Sequence, residues 1–297
     1  MIRTVGFVGL GAMGLGMARN LLQAGFHVTG CDLQPDPRKA FQAAGGAVTE
    51  QLDTLLANPP DVLSLCLASG AQLKLCDAVL IERAPEGLTI LDHSTIPAPE
   101  TRRLHVAFAQ RGVRYLDVPM SGGRGGAESG QLHLYVGAAR EDCAECLPYF
   151  EAVAHPETIF FAGQPGQAQV MKCVQNMASW YLDAVRMEIL AFGLHSGLTD
   201  QQLAQACKEA HQPGPFTNAL ARIRRGDTGF QVNLNAEYDY FLQEADANGF
   251  PMPMMRGLMD FLHTEPREAT DVVHRPAHNT WQRFMRTCPA AADASNG

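Results

Sequence analysis

Val5–Pro35 reads VGFVGLGAMGLGMARNLLQAGFHVTGCDLQP. Thr4–Gly9 is an apolar run of strand type, Met13–Ala24 carries apolar side chains at helical spacing, and His27–Asp32 is a second strand-type run. Between the first strand and the helix lie Gly9-Leu10-Gly11-Ala12-Met13-Gly14, a GxGxxG spacing. The first glycine permits a tight turn, the second lets backbone approach a pyrophosphate, and the third lets helix pack on strand. The helix N-terminus adds the positive end of its dipole. The second strand ends on Asp32, whose carboxylate can accept both ribose hydroxyls of an adenosine. A 2′-phosphate would meet that negative charge, and no basic residue follows at once in Leu33-Gln34-Pro35. The stretch reads as a cradle for NAD, while Arg38 and Lys39 keep NADP open. A Gly-rich turn without a ligand has the same local pattern, so the rest of the chain must decide.

Outward from this stretch, strand-type runs at Val62–Leu67, Thr89–Asp92 and Val113–Val118 alternate with helical segments at Pro37–Ala44, Gln72–Ile81 and Pro97–Gln110. Such alternation predicts a mostly parallel, doubly wound sheet with right-handed crossovers. Leu132–Gly137 and Thr158–Ala162 read as later edge or antiparallel strands. After Gly163-Gln164-Pro165-Gly166 the strand signals stop, and helical segments follow at about 167–195, 200–210, 215–225, 233–248 and 253–263. The expected division is a nucleotide-binding domain over 1–163, a helical domain over 164–290 and a flexible tail over 291–297.

With 297 residues, 46% apolar and 18% charged, the chain suits two domains with substantial cores. Its net charge of −8 argues against nucleic acid. The late basic residues Arg256, Arg267, His274, Arg275, His278, Arg283 and Arg286 suit a solvated face or subunit contact better than a polyanion site. The longest candidate run, Val62–Ala68, is far short of the ~20 apolar residues that span a membrane. Met1-Ile2-Arg3 leads into too short an apolar run for a signal peptide, so a cytoplasmic protein is expected. The eight cysteines sit mostly in apolar runs, as in a reducing compartment. Cys143-Ala144-Glu145-Cys146 lacks the partners of a zinc site, and His274 with His278 lacks a third ligand, so no metal is expected.

The segment Gln167–His195 could form one helix of ~29 residues, ~43 Å long. It is apolar on most sides, which predicts burial. Lys172, Asn176, Ser179 and Asp183 form one polar stripe along it. A buried lysine is costly, being either paired structurally or tuned as an acid/base. Its place just past the domain junction, where a cleft would form, favours the second role. Asn176, one turn on, can address the same substrate oxygen, whereas Asp183 reads as structural. Two loops follow strand ends, where ligands of open α/β sheets bind: His93-Ser94-Thr95 and Asp117-Val118-Pro119-Met120-Ser121-Gly122-Gly123. The Ser121 hydroxyl and the amides of Gly122 and Gly123 could hold a carboxylate.

With these pieces in place, the chain resembles the β-hydroxyacid dehydrogenases over nearly its full length. "GFVGLGAMGLGMARNLLQAG" (6–25) looks like the family's cofactor signature and "DHSTI" (92–96) like its Asp-x-Ser-Thr segment. "DVPMSGGRGGAESGQL" (117–132) is similar to its substrate motif, and "GQPGQAQVMKCVQN" (163–176) to its Gly-rich turn before a catalytic lysine and asparagine. The resemblance implies an α/β Rossmann N-terminal domain, an all-α C-terminal domain, and a homodimer or homotetramer through the helical domain. It implies hydride transfer between nicotinamide and C3 of a small 3-hydroxy acid, a small carboxylate substrate. Lys172 would be the general acid/base, Asn176 would orient substrate, and Ser121, Gly122 and Gly123 would hold its carboxylate. Met13, Leu67, Ala68 and Thr95 would join Gly9, Leu10, Gly11, Ala12, Gly14 and Asp32 around the cofactor.

The chain departs from the family in three places. Ala168 replaces a glycine of the turn. Gly229-Phe230 leads to Glu237-Tyr238 where family members carry Lys-Asp. The loop 209–216, with His211, replaces a Ser-rich segment. His211 reads as a solvent-exposed loop residue or as part of an altered pocket, and Arg124 as a partner for a second acidic substrate group or as a solvated helix-start residue. An imine-reductase-like enzyme and a non-catalytic cofactor-binding module are the competing readings; retention of Lys172 and Asn176 counts against both.

Overall fold

The structure, a computed structural model, describes residues 2–225 and 233–264. The chain forms two compact units, one of Met1–Cys173 with Gln243–Phe250, the other of Val174–Leu242 with the residues from Pro251 onward.

The first unit is built on β1 (Thr4–Val8), β2 (His27–Cys31), β3 (Ala47–Thr49), β4 (Val62–Leu65), β5 (Thr89–Asp92) and β6 (Arg114–Asp117), all parallel, in the order β3-β2-β1-β4-β5-β6. This is the dinucleotide-binding order, which reverses direction at β1 and opens a crevice at the carboxyl ends of β1 and β4. The crossovers are α1 (Gly14–Gln23), α2 (Pro35–Gln42), α3 (Leu52–Ala57), α4 (Ser69–Leu75) running through a π turn into α5 (Ile81–Arg83), and α6 (Ala98–Ala109). Central strands are covered on both faces, so they read as continuous apolar runs. Alternate residues feed two cores. Val5, Phe7, Val62 and Leu91 join Met17, Leu21, Tyr149 and Phe150 on one side. Val8, Leu63, Leu65 and Ile90 join Leu104, Phe108 and Tyr115 on the other. Each fully buried Leu or Phe contributes roughly 1.5–3 kcal/mol against exposure.

A second sheet holds β7 (Met120–Ser121), β8 (Leu132–Val136) and β9 (Ala154–Phe161). The antiparallel pair is β7–β8, whereas β9 lies parallel to β8. The expected late strand therefore starts earlier than Thr158. It is parallel because a 3₁₀ turn at Glu141–Cys146 and helix α8 (Leu147–Val153) make the crossover a parallel partner needs. Helix α7 (Gly123–Ser129) lies between β7 and β8 and meets α1, where the Asn20 side chain donates to the Ala127 carbonyl at 2.7 Å. Both CxxC thiols are buried, and burial pushes Cys143 up to about 11 and Cys146 up to about 12.

Helix α9 (Gln167–Asn176) continues through a π turn at Met177–Tyr181 into α10 (Leu182–His195). In the second unit α10 packs against α11 (Asp200–Ala206) and α12 (Pro215–Arg224), and Met187, Leu190, Leu194, Leu203, Leu220 and Ile223 of these helices are buried. Thr199 and Gln202 form a capping box on α11. Helices α13 (Asn233–Ala247) and α14 (Pro253–Thr264) complete the described chain. Two expectations for the long helix need correction. It is not apolar-and-buried all round, since Val174, Leu182, Ile189 and Phe192 are exposed. Nor does one polar stripe run its length: a π turn takes five residues per hydrogen-bonded loop and shifts the register after Asn176. Ser179 is exposed, and Asp183 accepts from Arg222 on α12 at 2.6 Å.

Gly229-Phe230, the side chains of Glu237 and Tyr238, the basic stretch from Arg267 to Arg286 and the tail 291–297 lie outside the described residues. Among the described residues no helix is long and apolar enough to cross a membrane.

Candidate functional site

The glycines of the first turn differ in their surroundings. Gly9 has φ +95°, and a Cβ there would lie 2.3 Å from the Cys66 carbonyl oxygen. A Cβ on Gly14 would lie 1.9 Å from the Gly9 carbonyl oxygen, so only glycine lets α1 start this close to the turn. Gly11 has nothing within 4 Å of its missing Cβ and faces open space. That empty approach to exposed backbone, at the start of a ten-residue helix with no acidic residue in its first turn, fits a dinucleotide pyrophosphate. Leu10 is buried beneath the turn, Ala12 is exposed on it, and Met13 is half-buried.

Asp32 stands directly after β2. Its Oδ2 accepts the Leu10 N–H and its Oδ1 the Gln34 N–H, both at 2.8 Å. Each carboxylate oxygen has a further lone pair for a ribose hydroxyl. Arg38 is committed elsewhere: it donates to the carbonyls of Asp32 and Leu33 at 2.6 and 3.0 Å and pairs with Glu50 at 3.0 Å.

The loops after β4 and β5 are tied together at the same edge of the sheet. The Leu67 N–H donates to Ser94 Oγ at 3.1 Å, and the side chain of Leu67 lies against Gly9. Ala68 is exposed just beyond, and Thr95 is half-buried. His93 turns inward. Its Nδ1 must donate to the Val118 carbonyl at 2.9 Å, which makes Nε2 the acceptor for Tyr149 OH at 2.9 Å; Ser64 Oγ lies 2.7 Å from that phenol. Burial, which disfavours the charged ring, pushes His93 down to about 4. Asp92, which ends β5, accepts from Tyr115 OH at 2.6 Å, from the Ser94 N–H at 2.9 Å and from Gln72 Nε2, yet burial still pushes it up to about 6.

Ser121 ends β7 with its Oγ 3.4 Å from Tyr135 OH, and Gly122 and Gly123, at φ +120° and +61°, lead exposed into α7. Their conformations are ones side chains resist. Arg124 is engaged on the surface of α7 by Glu128 at 2.8 Å, and His211 is an exposed loop residue.

Lys172 and Asn176 lie one turn apart on α9, 7% and 1% exposed. Sequence reading missed what holds the start of this helix. Gln169 is buried; its amide donates to the Ser94 carbonyl at 2.9 Å and accepts the Ile96 N–H at 3.4 Å. Asp117, which ends β6, accepts the Gly166 N–H at 3.1 Å. The one available signal was a carboxylate closing each of two apolar strands, since a buried charge needs donors from elsewhere. The structure thus joins the Gly-rich turn, Leu67, Thr95 and the Lys172 helix at one sheet edge. Ser121-Gly122-Gly123 follows the neighbouring strand.

Residues 4–173 match the family model described as the NAD binding domain of 6-phosphogluconate dehydrogenase. The chain is 32% identical to the NAD-dependent L-serine dehydrogenase of Pseudomonas aeruginosa, over 85% of this chain and 89% of that one. It is 35% identical to the 3-hydroxyisobutyrate dehydrogenase of the same organism, over 82% and 85%. The structure of Mycobacterium tuberculosis 3-hydroxyisobutyrate dehydrogenase with L-serine superposes with a TM-score of 0.78 at 26% identity, covering 96% of this chain and all of that one.

Proposed function

We propose, from the premise that this chain belongs to the β-hydroxyacid dehydrogenase family and is an NAD(P)-dependent oxidoreductase, that it exchanges a hydride between nicotinamide and C3 of a small 3-hydroxy acid. The observation that carries this reading is a buried lysine one turn before a buried asparagine, on a helix latched to the loop that bears Thr95. When bound, the nicotinamide supplies the two-electron acceptor or donor. Lys172 takes the proton of the substrate hydroxyl as the carbonyl forms, and returns it in the opposite direction. Asn176 orients the same oxygen. Ser121 Oγ and the amides of Gly122 and Gly123 hold the carboxylate, so that C3 is presented at a fixed place. Relatives named for L-serine and 3-hydroxyisobutyrate make these the first acids to offer.

NAD rather than NADP is the proposed partner. Gly9, Leu10, Gly11, Ala12, Met13 and Gly14 cradle it, Asp32 takes the ribose, and Leu67, Ala68 and Thr95 flank it. Asp32 repels a 2′-phosphate, and Arg38 is held by two carbonyls and Glu50 rather than turned toward one. We assign the nucleotide and the carboxylate grip of Ser121, Gly122 and Gly123 to residues 1–163, and the rest of substrate binding and self-association to helices of 164–290, in a cytoplasmic homodimer or homotetramer. Exposed Phe192 and Met254, beside the groove between α10 and α14, support the self-association.

The test is Lys172→Ala. Following reduced nicotinamide by absorbance, kcat should fall roughly 10²–10⁴-fold, while the dissociation constant of NADH stays within about threefold. Turnover that survives the substitution would remove Lys172 from the chemistry.

A further inference from the structure

Asp117 takes no part in the reaction proposed above, yet it occupies an expensive position. It closes β6, is 1% exposed, and directs Oδ1 at the Gly166 N–H immediately before α9, while Oδ2 has no hydrogen-bond partner among the described residues. Burial pushes it up to about 6, against the pull of the N–H groups of Gly166, Asp117 itself and Gln169; the charge of Asp92, its register partner on β5, adds to the rise. The recess that admits the carboxylate exists because residue 137 is glycine. A Cβ there would lie 1.9 Å from Oδ1, and the Gly137 N–H is itself fixed by the Asp117 carbonyl at 2.9 Å.

Beyond its own N–H, the amides that pull on this carboxylate lie at one place. Gly166 and Gln169 flank the first turn of α9, Gln169 clasps Ser94 and Ile96, and Lys172 follows less than one turn later. A helix is stiff over such a span, so a shift of its first turn passes to the lysine almost undiminished. Displacement of a reacting group by 1 Å costs up to ~10²-fold in rate.

We propose that Asp117 is a positioning residue for Lys172: seated in the recess left by Gly137, its carboxylate anchors the first turn of α9 and so sets where the lysine amino group meets the substrate hydroxyl. This rests on the reading of Lys172 given above.

Four variants test it: Asp117→Ala, Asp117→Asn, Gly137→Ala, and the double variant of Gly137→Ala with Asp117→Ala. The readouts are kcat and KM with NAD and L-serine or 3-hydroxyisobutyrate, the NADH dissociation constant, and amide hydrogen exchange. Asp117→Ala and Gly137→Ala should each lower kcat at least tenfold, with KM and NADH affinity within threefold of wild type. Asp117→Asn, which keeps an acceptor for the Gly166 N–H, should restore kcat to within about threefold. The double variant should be no worse than Asp117→Ala, because the three atoms nearest the new methyl group, all of the Asp117 carboxyl, are then gone. Exchange should quicken at least fivefold over residues 166–173 and stay unchanged in the six-stranded sheet. Should Asp117→Ala fail to fold, Gly137→Ala carries the same prediction alone.

The proposal is overturned if exchange over 166–173 stays at wild-type rates, if it rises equally across the sheet, if kcat is retained, or if the Asn variant is as damaged as the Ala variant. Failure of the Lys172 reading looks different: Lys172→Ala would keep its turnover while the Asp117 variants still loosened 166–173.

Discussion

Gly11 and Gly14 sit three residues apart in one turn, yet substitution should separate them cleanly. A methyl group on Gly11 meets nothing within 4 Å, so Gly11→Ala should leave stability within about 0.5 kcal/mol of wild type. It would stand, however, where a pyrophosphate must approach backbone, and NADH binding measured by fluorescence should weaken at least ~tenfold. A methyl group on Gly14 meets the Gly9 carbonyl oxygen at 1.9 Å. Gly14→Ala should therefore cost roughly 1–3 kcal/mol in urea unfolding as well as binding. Equal effects of the two variants on stability would contradict this division of roles. Residues of this kind were legible in the sequence because spacing along one short stretch defines them. Asp117 and Gln169 were not, because their partners are 49 and 75 positions away and only the fold brings them together.

At the scale of elements, apolar runs and helical spacing reveal strands and helices that bury whole faces, and β1, β2, β4, β5 and β6 were all readable. The strands β3 and β7, three and two residues long, carry too little sequence to show a period. Helix α7 was hidden because Gly123, Gly125 and Gly126 are poor helix formers, so packing against α1 rather than propensity makes it. The π turn after Asn176 has no local signature, and it is what broke the expected polar stripe. The loop between β5 and α6 adds a pH dependence. His93 is held neutral in the folded state, down to about 4, against an ordinary value of 6.5. The unfolded chain therefore binds its proton first, and stability falls as pH drops below about 6.5, the loss being complete near 4. Between pH 7 and pH 5 this one group should remove on the order of 2 kcal/mol. Urea unfolding of His93→Gln, whose amide can still donate to Val118 and accept from Tyr149, should lose that much less over the same range. An identical pH response in both proteins would show that His93 is not the acid-labile group.

At the scale of the whole molecule, the chain divides into two compact units of different make-up. The first is an α/β sheet whose carboxyl edge gathers a glycine turn, two loops and the start of a lysine-bearing helix. The described residues of the second form helices and their connections, with an exposed apolar groove between α10 and α14. The alternation of strands and helices, then helices alone, displayed this plan in the sequence. The choice of substrate was not displayed, because it depends on a few side chains brought together from distant segments. If C3 of a 3-hydroxy acid gives its hydrogen directly to nicotinamide, an isotope at C3 must follow it. The most direct measurement is to offer NAD with L-serine and then 3-hydroxyisobutyrate, each deuterated at C3, and weigh the NADH formed by mass spectrometry. The NADH should be heavier by the deuterium, and Lys172→Ala should form it at least ~10²-fold more slowly. Unlabelled NADH, or no reduction of NAD with any small 3-hydroxy acid, would contradict it.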